Sequence, residues 1–164
     1  MTINRWGVIA LVFVAGCAGA EWQKVSVAPA YQVPKQLKVS LVAEASTDTT
    51  PAALAAMQSA LAERLASKGI TATFVSAPSG QPQADLTIAE WDPGSRALRW
   101  LVGFGAGKGS VVVVVKSPSA DGRPGVEGIV NGWVKGGFFG GTSEIAATQA
   151  GQLIAEAIAT GKTD

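Results

Sequence analysis

The chemistry open to this chain is narrow. It has no histidine, and Cys17 is its only cysteine. Imidazole general-base catalysis, a Ser-His-Asp or Cys-His pair, a Cys/His zinc site and an internal disulfide are therefore excluded. Lysine and carboxylate chemistry remains. Asp85, Glu90 and Asp92 lie close enough in sequence to supply a carboxylate pair. Asp85, however, opens an expected strand, Glu90 points opposite to Trp91, and Asp92 sits in the turn Asp92-Pro-Gly-Ser95. That spacing predicts three acids at an edge or rim, not a paired site.

Two glycine-rich stretches invite a ligand reading. In Gly103-Phe-Gly-Ala-Gly-Lys-Gly109, the pair Gly107-Lys108 matches the end of a phosphate-binding loop. The full pattern needs Ser or Thr after the lysine, glycine at position 102 and a helix opening from the loop. The chain instead has Gly109, Val102 and an expected strand, and the dinucleotide pattern fails at Lys108. Glycines here are expected to turn the backbone tightly beside a neighbour. Gly136-Gly-Phe-Phe-Gly-Gly141 precedes an expected helix, whose free N–H groups could hold an anion. Phe104, Phe138 and Phe139 would fill gaps where the two stretches meet. Arg96, Arg99, Trp100, Phe104, Lys108, Phe138 and Phe139 are the predicted partner or ligand contacts. Trp91, Trp100 and Trp133 could line a groove; capping a core edge is the plainer expectation.

Charge offers no contrary signal. The chain holds 13 basic and 12 acidic side chains and a net charge of +1. Such a balance gives no field for nucleic acid or for an anionic membrane surface, so no nucleic-acid partner is expected. Nor does any residue set call for a cofactor or metal.

The one thiol has a specific setting. Arg5 is a short positive region, and Trp6 to Ala15 is an apolar run about half as long as a membrane span. Val14-Ala15-Gly16-Cys17 follows and resembles the lipobox of bacterial lipoproteins. Small residues admit a peptidase, and the thiol accepts diacylglycerol. The resemblance implies a signal peptide at 1–16 and acyl chains on Cys17, enough of them for stable attachment to a bilayer. Ala18 in place of Asp implies the outer membrane, with the domain facing the periplasm.

The elements that position these residues follow from periodicity. Residues 17–36, with Pro29 and Pro34, read as a lipidated tether, with Trp22 and Tyr31 suggesting that part of it packs down. Leu37 to Ala43 alternates as a strand. Thr50-Pro51 is a cap followed by a first-turn proline, Leu54, Met57, Leu61 and Leu65 form one stripe, and Gly69 stops the helix. Strands are expected at Ile70–Val75, Asp85–Trp91, Ser110–Lys116 and Val126–Lys135, the last two joined by a hairpin at 117–125. Five consecutive valines, 111–115, suit a central strand covered on both sides. Thr142 caps a second helix whose Ile145, Leu153, Ile154, Ala157 and Ile158 face inward. The prediction is a single α+β domain at 37–161. Its mixed or antiparallel sheet has about five strands in the order β-α-β-β-β-β-α, with both helices packed on it.

Taken in order, the lipobox, the Ala-rich helix ending in Lys-Gly, Ala84-Asp85-Leu86 and Arg96-Ala-Leu-Arg-Trp-Leu-Val-Gly-Phe-Gly-Ala-Gly-Lys108 carry a resemblance. A Val-rich strand, Gly140-Gly141 and a terminal Ala-rich helix complete it. Over 37–160 the chain resembles the bacterial lipoprotein family known as domain of unknown function 4410. It departs from the family in the hairpin loop, where Pro118 and Pro124 replace a tight turn. The resemblance implies an envelope lipoprotein and no activity. The expected function is a non-enzymatic binding or assembly module, contacting the membrane through lipid on Cys17 and another envelope protein or itself. The competing expectation is a small-ligand carrier or enzyme with Arg96, Arg99, Lys108 and nearby acids around a cleft.

Overall fold

A computed structural model describes residues 18–76, 83–93, 109–135 and 143–163. The elements are β1 (Ala18–Val27), β2 (Gln36–Ala43), α1 (Pro51–Ser67), β3 (Thr71–Val75), β4 (Ala84–Asp92), β5 (Gly109–Pro118), β6 (Pro124–Val134) and α2 (Ser143–Thr160). They build one mixed six-stranded sheet in the order β1-β6-β5-β4-β2-β3. β2 pairs in parallel with both β3 and β4, while β1, β6, β5 and β4 are joined antiparallel.

The α+β class holds, with six strands in place of about five. The additional strand is β1, formed from residues expected as a tether. Its apolar alternation is broken by a bulge between Trp22 and Lys24. Ala18, Ala20 and Trp22 pair with Val134, Gly132 and Val130 on one face; past the bulge, Val25 and Val27 take over that face opposite Gly128 and Val126. The extra residue resets the period-2 pattern, as bulges do.

The helices cover one face. Thr50 Oγ1 accepts from Ala53 N–H, Pro51 occupies the first turn, and Gly69 at φ 77° ends α1 in the left-handed region. Met57, Leu61 and Leu65 of α1 belong to the same buried core as Val39, Leu86, Ile88, Val111, Val113 and Val115. α2 lies over β6, β5 and β1, and beside α1. It is seated by small residues. A Cβ on Gly132 would lie 2.4 Å from Ala146 O, and one on Gly151 would lie 3.0 Å from Met57 O. Ile154, Ala157 and Ile158 face inward as expected; Leu153 is half-buried, and Ile145 is 37% exposed and points outward. Ile145 stands one turn before Gln149 and two before Gln152, on the side that meets solvent.

The valine run also differs from expectation. Val111, Val113 and Val115 lie under the helices, whereas Val112 and Val114 face the other way and are half-buried. Neither described helix packs on that second face.

Candidate functional site

Antiparallel pairing gathers several chain ends. Ala18 is opposite Val134, which is opposite Gly109; Asp92 is opposite Ser110, which is opposite Trp133. α2 starts at the same end, and a Cβ on Gly109 would meet Ser143 at 3.2 Å. The start of β1, the end of β4, the hairpin termini of β5 and β6 and the N-terminus of α2 therefore share one end of the sheet. The described residues that flank the glycine-rich stretches, Asp92 and Gly109 for the first and Val134 and Ser143 for the second, all lie at this end. Cys17 is bonded to its first residue, Ala18. Cys17, Arg96, Arg99, Trp100, Phe104, Lys108, Phe138 and Phe139 themselves lie outside the described residues, as does the expected cap Thr142.

The tryptophans do not line one groove. Trp91 is in register with Val111 and packs against the core beneath the helices. Trp133 lies on the opposite face, over Gly19, where an added Cβ would fall 2.1 Å from the ring. Trp22 stacks on Gly128 from the helix side, at 2.8 Å from a Cβ built there. Ring-on-glycine contacts on both faces thus fix β1 to β6.

The acids are likewise dispersed. Asp85 is half-buried, accepts from Gln83 Nε2 at 2.7 Å and stands opposite Lys116. Glu90 is opposite Val112 and Asp92 opposite Ser110, further along the strand. No group of three or more Cys, Asp or Glu able to hold a metal exists among the described residues.

The sheet face away from α1 and α2, helix-free among the described residues, was not singled out by sequence reasoning. Its middle row runs Ile129-Val114-Thr87-Val42 across β6, β5, β4 and β2; the adjoining row is Asn131-Val112-Glu90, and Trp133 lies one row further on, opposite Ser110. The next row is Glu127-Lys116-Asp85, alternating in sign. A shallow cleft of about 340 Å³ opens here beside Ser40, Val42, Thr87 and Lys116. A second open cleft, about 470 Å³, follows the helices and is lined by Glu63, Arg64, Gln149, Gln152 and Glu156 among others. There Glu156 bridges Lys68 Nζ and Arg64 Nη2 at 2.8 and 2.7 Å. The Lys68 hydrogen bond, then that of Arg64, hold the Glu156 carboxyl below its ordinary range.

At the far end of the sheet a strap, residues 28–35, carries the chain from β1 across to β2. Tyr31 O–H donates to Ile158 O near the end of α2. Ser119 Oγ accepts from Gln32 N–H, and Ala28 N–H donates to Gly125 O. Burial raises the Tyr31 phenol to about 12. In the adjoining hairpin, the Arg123 backbone N–H, more than its side chain, holds Asp121 below its ordinary range. Pro118 and Pro124 face each other where the strands part, and Gly122 turns the loop at φ 79°.

The fold has solved counterparts. A point variant of PelC from Paraburkholderia phytofirmans, a dodecamer, is similar with a TM-score of 0.53 and 18% identity, covering 89% of this chain and 100% of that one. A second crystal form of the PelC dodecamer gives a TM-score of 0.52 and 17% identity, covering 87% and 97%. At that identity the likeness shows the fold alone. No curated protein sequence matches the chain. The family match spans residues 22–159, taking in most of β1 as well as the region from β2 onward. The chain belongs to the family described as Domain of unknown function (DUF4410).

Proposed function

We propose that this chain is a lipid-anchored module of the bacterial envelope that works by self-assembly rather than by catalysis. The observation that carries the reading is the likeness of the whole domain to PelC chains, which form dodecamers. The sheet face away from α1 and α2 supports it, since no described element covers its apolar residues and large apolar residues on an open face mark interaction surfaces. The sequence Val14-Ala15-Gly16-Cys17 supports the anchor, and the absence of histidine argues against the commonest catalytic apparatus. Ala18 following Cys17 favours the outer membrane, with the domain on its periplasmic side.

The test has two readouts on protein extracted from envelopes in mild detergent. Intact mass of the mature N-terminus should show an acylated Cys17, and Cys17→Ser should release the protein from membranes. Light scattering should give a mass several times the monomer. Freely soluble protein with a free Cys17 thiol would remove the anchor, and a strictly monomeric mass would remove the assembly.

A further inference from the structure

We propose that the helix-free face of the sheet, centred on Val42, Val112, Val114, Ile129 and Trp133, is a contact between copies of this chain. This rests on the self-assembly reading and names its surface. A strand with one solvated face alternates apolar and polar residues, whereas a strand buried on both faces reads as a continuous apolar run. β5 reads Val111 to Val115 without interruption, and its helix-side valines are fully buried. The helices satisfy half of that pattern. The other half, continued by Ile129 on β6 and Val42 on β2, calls for a cover that the described part of the chain does not supply. Val42 is 37% exposed.

Size and charge favour a second copy as the cover. Six strands about 4.8 Å apart and about seven residues long give a face of roughly 650 Å² before side-chain relief. A standard interface removes about 800 Å² of accessible surface per partner, so the face is of the right order. Around the apolar row, Glu127, Lys116 and Asp85 alternate in sign, with Lys38 and Glu90 nearby on the same side. A purely anionic partner, membrane or nucleic acid, would be repelled by Glu127, Asp85 and Glu90 here. A second copy presents the same alternation of signs and can set its Lys116 against an acid of the first.

The experiment compares the detergent-extracted full mature chain with three variants by light scattering across a dilution series. Val114→Lys and Val42→Lys place a charge in the proposed contact. Gln152→Lys places the same charge on the exposed side of α2. The expected result is that both valine variants dissociate at concentrations on the order of tenfold or more higher than wild type, while Gln152→Lys does not, because an unpaired buried charge is penalised at the interface only. Circular dichroism checks folding; Val42 is exposed enough that its variant decides the matter if Val114→Lys unfolds. A wild-type oligomer that survives both valine variants overturns the surface assignment and leaves self-assembly standing. So does a cross-link from this face to a different envelope protein while the oligomer persists. A wild-type monomer overturns both readings.

Discussion

Replacing Tyr31 by Phe isolates one linkage between the two ends of the chain. Tyr31 is the only tyrosine, is half-buried, and donates from its hydroxyl to Ile158 O. Burial raises its folded pKa from 10.0 to about 12. The fold thus favours the neutral phenol. Its contribution is fully present below pH 10 and is lost as pH rises from 10 to 12. A two-unit shift corresponds to at most about 2.7 kcal/mol. Since part of the ring meets solvent, screening reduces this to roughly 1–1.5 kcal/mol. At neutral pH, Tyr31→Phe removes one hydrogen bond and should lower stability by about 1 kcal/mol. Between pH 10 and 12 the wild-type curve should fall toward that of the variant, closing the gap. The assay is urea denaturation at a series of pH values, paired with tyrosinate absorbance of the folded protein, which reports this one group. A folded-state midpoint at pH 10, or wild-type and variant curves that stay parallel to pH 12, would refute the reasoning.

Three further outcomes follow from packing and charge. Gly132→Ala sets a Cβ 2.4 Å from Ala146 O and should destabilise by about 1–3 kcal/mol, seen as a melting temperature roughly 3–10 °C lower; an unchanged melt would show that α2 lifts freely. Glu156→Gln should lower stability by no more than about 1 kcal/mol, because the pairs with Lys68 and Arg64 are partly exposed. Its depressed carboxyl pKa means that this difference is present above the ordinary carboxylate range and disappears as pH falls through the folded value, and added salt should shrink it at neutral pH. Deleting Ala18–Val27 should destabilise by on the order of 3 kcal/mol, since Trp22, Val25 and Val27 leave the sheet; removal of a true tether would leave the denaturation midpoint in place.

Much of the architecture was legible because local signals agreed with it. Thr50, Pro51 and Gly69 bracket α1 within a residue, and Gly161 at φ 65° follows α2. The hairpin of β5 and β6 follows from two valine-rich runs around Asp121-Gly122. β1 was hidden because its bulge at Trp22–Lys24 breaks the alternation, and because two of its inward residues are alanines, which signal burial weakly. The parallel pairing of β2 with β4 depends on contacts far apart in sequence that no local pattern encodes. The valine run announced cover on both faces, while only its helix side is filled within the described chain. The separation of Trp91 from Trp133 follows from strand parity, with a bulge at Ile88–Glu90 shifting the register of Trp91. The acids are spread along one strand, as their spacing implied, but that strand, β4, is central in the sheet and only Asp92 lies at its end.

Ala18 is already paired with Val134, one residue after Cys17. A flexible leader of about 20 residues would let a domain wander roughly 25 Å from its attachment point. Here a single Cα step, about 3.8 Å, separates Cys17 from the first residue of the sheet. A protein fixed to a bilayer through Cys17 would have little room to move away from it. Partners would have to come to the surface, or the whole molecule would have to drift laterally to them. Neighbours mounted this way would share a narrow range of heights above the bilayer. Some of the translational freedom that association usually forfeits would then be gone before two molecules touch.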